Sequence, residues 1–162
     1  MNIVLEGPDN AGKTTLANAI AEEIGWPIKP KEGKPDTFEQ TLQKIRFYLS
    51  LDRLIIDRHP MITQLIYGQV LRDDPQPSRD LMERFLYQRP IIIYCRCLKL
   101  RLKGHEASPT DTKEHLRLLD DKYEKIVDLY DEIMIRFASI IYTDWDQLPR
   151  VVAMVKGAIR ER

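Results

Sequence analysis

The chain has 162 residues, which is long enough to bury a substantial core and predicts a single domain spanning residues 1–162. Its 25 basic and 25 acidic residues give a formal net charge of zero, which argues against a polybasic surface that binds nucleic acid by charge alone. No stretch is apolar for long enough to span a bilayer, and the first apolar run begins too close to Met1 to leave room for a signal peptide. We therefore expect a cytoplasmic protein with no membrane partner.

The first predicted elements are a strand, a glycine-rich loop and a helix. An apolar run from Ile3 to Leu5 leads into residues 7–14, which spell G-x-x-x-x-G-K-T. Apolar residues then recur at three- and four-residue spacing up to Ile24, and Gly25 is a helix stop. This order of strand, loop and helix is the context in which the pattern binds the phosphates of a nucleotide.

The residue types in this loop fit phosphate chemistry. Gly7 and Gly12 leave room for a triphosphate against the backbone, while the loop amides and the helix N-terminus supply donors and positive potential. Lys13 is expected to reach the outer phosphates, and Thr14 to ligate magnesium. We therefore expect ATP and Mg²⁺ as cofactors, with the nucleotide bound by Gly7, Asn10, Ala11, Gly12, Lys13, Thr14 and Thr15.

The connection at residues 26–35 is rich in proline and lysine and predicts an irregular segment, with at most a very short strand at its start. Its lysines at positions 29, 31 and 34 are read either as part of an acceptor phosphate site or as a solvated loop. Asp36 is then a candidate N-cap for a helix that continues to Leu49.

A second strand is predicted where the apolar run Leu54 to Ile56 leads into an acid and a base. Such an unbroken run suits a strand that is buried on both faces of a parallel sheet. Asp57 and Arg58 would then emerge at the carboxyl edge of the sheet, beside the phosphate-binding loop. Asp57 is expected to hold the magnesium shell or to accept a proton, and Arg58 to bind a phosphate in bidentate fashion. The alternative is a surface ion pair at a strand end.

The remaining pattern alternates helices and strands and contains one candidate flap at about residues 98–112. There Arg101 and Lys103 are expected either to neutralise charge on the transferring phosphoryl group or to be ordinary polar-face residues. The predicted helices run from Pro60 to Leu71, Arg79 to Gln88, about Asp111 to Phe137 and Leu148 to Ile159; the predicted strands are Ile91–Cys95 and Ser139–Thr143.

This order of elements resembles the thymidylate kinase-like family of P-loop nucleotide kinases. The sharpest match is the loop, which includes an acid, Asp9, at its third residue. The second match is Asp57-Arg58-His59, which stands where the family has Asp-Arg-aromatic. The resemblance implies a P-loop NTPase fold of the α/β class, with a five-stranded parallel sheet and helices on both faces. It also implies that Asp9 lies near the acceptor sugar and the reacting phosphates, and that Arg58 orients the acceptor phosphate.

The function implied is ATP-dependent phosphoryl transfer to a pyrimidine deoxynucleotide. Lys13, Asp9, Asp57, Arg58 and Arg101 are the expected catalytic residues, and Thr14 and Asp57 the expected metal ligands. Thymidylate kinases carry an Arg-Glu-Pro-Gly-Gly stretch that is absent here. Similar short sequences occur in bacteriophages, and some of them resemble kinases that phosphorylate 5-hydroxymethyluracil within DNA. Phosphorylation of that base in DNA is therefore the alternative function. A nucleotide-hydrolysing switch module is a remoter alternative. The expected partner is a deoxynucleotide acceptor. The expected location is the cytoplasm, which is that of the host if the chain is phage-encoded. A homodimer is possible on this sequence.

Overall fold

The computed structural model describes residues 1–9, 11–30, 32–33, 35–96 and 113–161, and for residues 113–120 the backbone alone. Its strands are β1 (Ile3–Glu6), β2 (Ile55–Asp57), β3 (Ile91–Cys95) and β4 (Ile140–Tyr142). Its helices are α1 (Lys13–Ile24), α2 (Phe38–Tyr48), α3 (Pro60–Thr63, continued by a π-helix at Gln64–Arg72), α4 (Arg79–Tyr87), α5 (Lys113–Phe137) and α6 (Leu148–Arg160), preceded by a 3₁₀ turn at Trp145–Gln147. None of the described helices is both long and apolar enough to cross a membrane.

The strands form one parallel sheet in the order β2-β1-β3-β4. The predicted five strands are wrong in number, because the described residues contain a four-stranded sheet. The short strand expected at the start of residues 26–35 is reduced to an isolated bridge between Ile28 and Ile55. Pro27 precedes Ile28, and since proline has no N–H to donate, the ladder cannot continue on that side of the bridge.

Helices cover both faces of the sheet, as predicted. Successive strand residues point to opposite faces, so each strand contributes apolar side chains to both layers. Full burial of one such aliphatic side chain stabilises the fold by about 1.5–3 kcal/mol. The face covered by α2 to α5 buries Val4, Ile45, Ile56, Met61, Phe85, Ile92, Tyr94 and Tyr130. The face covered by α1 and α6 buries Ile3, Leu5, Leu16, Ile20, Ile55, Ile91, Ile93, Val151 and Val155.

The second helix begins one residue later than predicted. Thr37, not Asp36, is the N-cap of α2, and its hydroxyl accepts a hydrogen bond from the Gln40 amide at 3.2 Å. Gln40 completes a capping box, because its side-chain oxygen accepts the amides of both Asp36 and Thr37. Threonine with glutamine three residues later therefore sets the start of the helix.

The predicted helix from Pro60 to Leu71 is present, but its second half has π geometry. Gln64 is buried where the π-helix begins, and its amide donates to Asp74 Oδ2 at 3.1 Å and accepts from Arg72 at 2.7 Å. A Cβ on Gly68 would lie 2.3 Å from this amide nitrogen, so glycine makes room for the buried side chain. The apolar spacing predicted a helix but carried no information about its pitch.

Candidate active site

The loop between β1 and α1 has the geometry that its glycines predict. Gly7 has a φ of +148°, and a Cβ there would lie 2.2 Å from the carbonyl oxygen of Cys95 on β3. Gly12, with a φ of +75°, is the N-cap of α1. Both positions therefore require glycine, one because of a close backbone approach and one because of a left-handed turn. The loop ends at the N-terminus of α1, where the helix dipole and the free backbone amides favour the binding of an anion.

Lys13 points into the loop and is almost completely buried, with 7% of its surface exposed. Its ammonium group donates a hydrogen bond of 2.6 Å to the carbonyl oxygen of Pro8. Burial, and then the charge of Arg58, lower the pKa of Lys13 to about 8, while the carboxylates of Asp9 and Asp57 raise it. Among the described residues the hydrogen-bond partner of this ammonium group is a neutral carbonyl, and a buried ammonium group gains strongly from an anionic oxygen such as that of a phosphate.

Thr14 and Asp57 meet across the gap between the first helix and the second strand. The Thr14 hydroxyl donates to Asp57 Oδ2 at 2.9 Å. A hydroxyl and a carboxylate are the hard oxygen donors that Mg²⁺ prefers, and Mg²⁺ usually takes one or two protein ligands while keeping several waters. The described residues contain no cluster of three metal-ligating side chains. The pair fits the one or two protein ligands that Mg²⁺ usually takes.

Arg58 is placed at the mouth of the loop by an unusual backbone. Its φ of +71° lies in the left-handed region, which costs a non-glycine residue about 1–3 kcal/mol. Its guanidinium group pairs with the Asp9 carboxylate, lies 3.4 Å from the carbonyl oxygen of Gly7 and stacks over the ring of Tyr67 with its Cζ 5.0 Å from the centroid. A cation is thus fixed directly beside the glycine-rich loop.

Asp9 is held from two directions. Its carboxylate pairs with Arg58, and its carbonyl oxygen accepts a hydrogen bond of 3.0 Å from the hydroxyl of Tyr123 on α5. The structure therefore brings Asp9, Lys13, Asp57 and Arg58 together at one edge of the sheet. Asp57 accepts the Thr14 hydroxyl and Arg58 pairs with Asp9, so both contact the loop or the first turn of the helix that follows it.

The remaining predicted site residues are distributed as follows. Ala11 is partly buried in the loop, and Thr15 is exposed in the first turn of α1. Lys29 pairs with Glu32 and lies over the ring of Tyr48, 5.5 Å from its centroid, so its ammonium group already has partners within the fold. Asn10, Lys31, Lys34, Arg101, Lys103 and the predicted flap at residues 98–112 lie outside the described residues.

Sequence reasoning missed Glu6, the last residue of β1. Its side chain is fully buried directly before the loop. Burial raises the pKa of Glu6 to about 7, opposed by the hydrogen bond from the His59 amide, by the charges of Arg58 and Lys13, and by the Tyr130 hydroxyl. The available signal was an acid that ends an otherwise apolar strand, a position at which a carboxylate is costly to bury.

His59 also has a role that the sequence did not predict. It is the N-cap of α3, where Nδ1 accepts the Met61 amide at 3.2 Å. Its ring packs against Tyr48 and Phe85, with centroids 5.5 and 4.7 Å away. Burial lowers the pKa of His59 to about 3, so the ring is neutral at physiological pH and supports the turn that follows Arg58.

No protein-family model matches this sequence, and no curated sequence is similar to it. Several solved structures share its fold over almost its whole length. The YorR protein of Bacillus subtilis, in complex with phosphorylated GDP, is 21% identical, with 99% of this chain and 96% of that chain covered and a TM-score of 0.67. Deoxyadenosine kinase of M. mycoides, with dCMP and dCDP bound, is 16% identical, with 99% of both chains covered and a TM-score of 0.60. Shikimate kinase of Aquifex aeolicus is 12% identical, with 99% and 97% covered and a TM-score of 0.57.

At these identities the likeness shows the fold alone: an α/β protein whose parallel sheet is packed between helices.

Proposed function

We propose that this protein is an ATP- and Mg²⁺-dependent kinase that transfers a phosphoryl group to a pyrimidine deoxynucleotide, in the manner of a thymidylate kinase. The observation that carries this proposal is the meeting of three groups at one sheet edge. These are the buried ammonium of Lys13, the oxygen pair of Thr14 and Asp57, and the guanidinium of Arg58 beside Asp9. Phosphoryl transfer needs little from a protein besides positioning and charge stabilisation, and these groups supply both.

The donor side is the loop and the start of α1. Lys13 exchanges its carbonyl partner, Pro8, for oxygens of the outer phosphates. The helix N-terminus and the loop amides bind the remaining phosphate oxygens. Mg²⁺, when bound by Thr14 and Asp57, neutralises charge on the phosphates.

The acceptor side is Arg58 with Asp9. A planar guanidinium group suits the bidentate binding of a phosphate, and that of Arg58 lies over the Tyr67 ring. The phosphate of a nucleoside monophosphate arrives already ionised, so its transfer needs no general base. On the acceptor side, such a phosphate therefore needs a cation to bind it and no base, and Arg58 is the cation that we assign to it.

The structurally similar proteins support a small acceptor without identifying it. The M. mycoides enzyme is a deoxyadenosine kinase with dCMP and dCDP bound, and the YorR structure contains phosphorylated GDP. Shikimate kinase shares the fold and is named for a substrate that is not a nucleotide. The choice of a pyrimidine deoxynucleotide therefore rests on the resemblance of the loop and of Asp57-Arg58-His59 to thymidylate kinases.

The second candidate acceptor is the hydroxymethyl group of 5-hydroxymethyluracil within DNA. It is favoured by the absence of the glycine-rich stretch of thymidylate kinases between Ile28 and Pro35, which would open the site to a strand. A hydroxyl, unlike a phosphate, must lose a proton, so a carboxylate would act as base. Asp9→Asn and Asp57→Asn, made separately and titrated with Mg²⁺, should then reduce transfer to the hydroxyl more than transfer to a monophosphate.

The experiment incubates the protein with γ-labelled ATP and a panel of deoxynucleoside monophosphates. The proposal predicts label in a pyrimidine deoxynucleoside diphosphate, abolished by Lys13→Ala. Lys156→Ala is the matched control, because this lysine is exposed and pairs with Glu23 between α1 and α6. Label confined to free phosphate would favour the nucleotide-hydrolysing switch, and full turnover by Lys13→Ala would overturn the assignment of the loop.

A further inference from the structure

Glu6 is the one carboxylate of the described site that has no part in the proposed chemistry. It lies beneath the loop, and both of its oxygens are bonded to other parts of the fold. Oε1 accepts the His59 amide at 2.5 Å, and Oε2 accepts the hydroxyl of Tyr130, on α5, at 3.3 Å. A buried carboxylate is retained against its desolvation cost only where such partners compensate it. Its partners therefore indicate what it does.

The first partner belongs to the turn that presents Arg58. The left-handed backbone of Arg58 is flanked by two hydrogen bonds to β1. The Arg58 amide donates to the carbonyl oxygen of Leu5 at 3.0 Å, and the next amide, of His59, donates to Glu6. Glu6 thus binds the peptide that follows the strained residue, and holds it against the strand that leads into the loop.

The second partner leads back to the Arg58 side chain. Tyr130 packs edge to face against Tyr67, with centroids 6.0 Å apart, and the Tyr67 ring lies under the Arg58 guanidinium. The contacts therefore run from Glu6 through Tyr130 and Tyr67 to the Arg58 side chain, and return to Glu6 through the backbone of His59. Glu6 holds both the backbone of Arg58, through His59, and the aromatic surface on which the guanidinium rests.

We propose that Glu6 is a positioning residue for phosphoryl transfer, which fixes Arg58 at the angle from which it binds the acceptor phosphate. The inference rests on the proposed function, in which Arg58 is the acceptor cation. Glu6 is fully buried, and its hydrogen bonds lead to the backbone that follows Arg58 and to Tyr130, so we expect its effect on the acceptor to pass through Arg58. A purely structural buried acid, by contrast, would affect folding without selecting the acceptor side of the reaction.

The decisive variant is Glu6→Gln, which keeps an oxygen for the His59 amide but replaces the oxygen that accepts the Tyr130 hydroxyl with an amide nitrogen. We expect kcat/KM for the monophosphate acceptor to fall about 10- to 100-fold, because small displacements of a positioning group are costly to the rate. The Kd for ATP should stay within about twofold. Glu83→Gln, a surface change on α4 at an acid paired with Arg79, is the matched control and should leave both quantities unchanged. An unchanged kcat/KM in a folded Glu6→Gln variant would overturn the proposal.

A double-mutant cycle with Arg58→Lys tests whether Glu6 acts through Arg58. We expect Glu6→Gln to cost less than about twofold once Arg58 has been replaced, because the interaction that it supports is already lost. Costs that multiply independently would contradict the proposal. Tyr130→Phe removes only one hydrogen bond from Glu6, so it provides a milder variant if Glu6→Gln does not fold. Tyr130→Phe should lower kcat/KM for the monophosphate acceptor by a smaller factor. A selective loss of ATP binding in this variant would contradict the proposal.

A measurement without turnover separates this inference from the proposed function. In ¹⁵N-labelled protein the Nε–Hε signal of Arg58, identified by its loss in Arg58→Lys, reports the order of the guanidinium group. We expect it to be ordered in the native protein and to become as mobile in Glu6→Gln as exposed Arg150. If no acceptor is phosphorylated, the proposed function is wrong, whatever the role of Glu6. If the Arg58 side chain stays ordered in Glu6→Gln, the proposed role of Glu6 is wrong.

Discussion

Glu6 and His59 should impose opposite pH dependences on stability, although they are neighbours in the same turn. The folded-state pKa of Glu6 is raised from 4.5 to about 7, so protonation favours folding. Its stabilising contribution is present below pH 4.5 and is lost as the pH rises through 7. The pKa of His59 is lowered from 6.5 to about 3, so its contribution is present above pH 6.5 and is lost as the pH falls toward 3.

The two contributions nearly cancel between pH 8 and pH 5. Linkage with these pKa values gives a gain of about 2 kcal/mol from Glu6 over that interval and a loss of about 2 kcal/mol from His59. The perturbation that exposes this balance is Glu6→Gln, which removes one of the two titrations. We expect the free energy of unfolding of this variant to fall by about 2 kcal/mol more than that of the native protein on going from pH 8 to pH 5.

The complementary variant is His59→Asn, since asparagine is a good N-cap and retains an acceptor for the Met61 amide. Its free energy of unfolding should rise by about 2 kcal/mol relative to the native protein over the same interval. The double variant should again follow the native profile. Other titrating groups are common to all four proteins and cancel in the comparison.

Urea titrations at pH 8, 6.5 and 5 provide the assay, with Glu83→Gln as the control. The slope with urea should be the same for all variants, so that midpoints report stability. Parallel pH profiles for the native protein, Glu6→Gln and His59→Asn would refute the reasoning, because they would mean that neither buried group changes its proton affinity on folding.

Three further changes test local features of the fold, each by urea titration. Gly7→Ala places a Cβ against the Cys95 carbonyl and should cost about 3 kcal/mol or more and abolish ATP binding; a cost below about 1 kcal/mol would contradict the close approach. Gly68→Ala must displace the buried amide of Gln64 and should cost about 1–3 kcal/mol, whereas a neutral effect would show that the amide is not fixed. Thr37→Ala removes the cap of α2 and should cost about 1 kcal/mol, so no loss would mean that the capping box contributes nothing.

The parts of the structure that the sequence predicted are those set by local pattern. Strand, loop and helix at the start of the chain follow from a run of adjacent residues. The placement of Asp57 beside Thr14 followed from one further rule, that ligands lie at the carboxyl ends of parallel strands. The fifth strand was expected from family resemblance, but the described residues show only a bridge between Ile28 and Ile55, next to Pro27, which has no N–H with which to extend a ladder.

The parts that the sequence did not predict depend on contacts between distant residues. Tyr130 reaches Glu6 across 124 positions of sequence, and Tyr123 reaches Asp9 across 114. Both tyrosines lie on α5, and the sequence predicts that helix without indicating what the tyrosine hydroxyl groups contact. The hydroxyl of a tyrosine at the edge of a core usually finds a partner, and only the packing of α5 against the loop identifies that partner.

The central claim, that the loop and Arg58 serve transfer to a small nucleotide, is tested most directly by one competition experiment. The protein is incubated with γ-labelled ATP, Mg²⁺, thymidine monophosphate and duplex DNA that contains 5-hydroxymethyluracil, and the label in each product is counted. We predict label in the nucleoside diphosphate, lost in Lys13→Ala. Label confined to the DNA would contradict the preferred acceptor, and label confined to free phosphate would contradict the kinase.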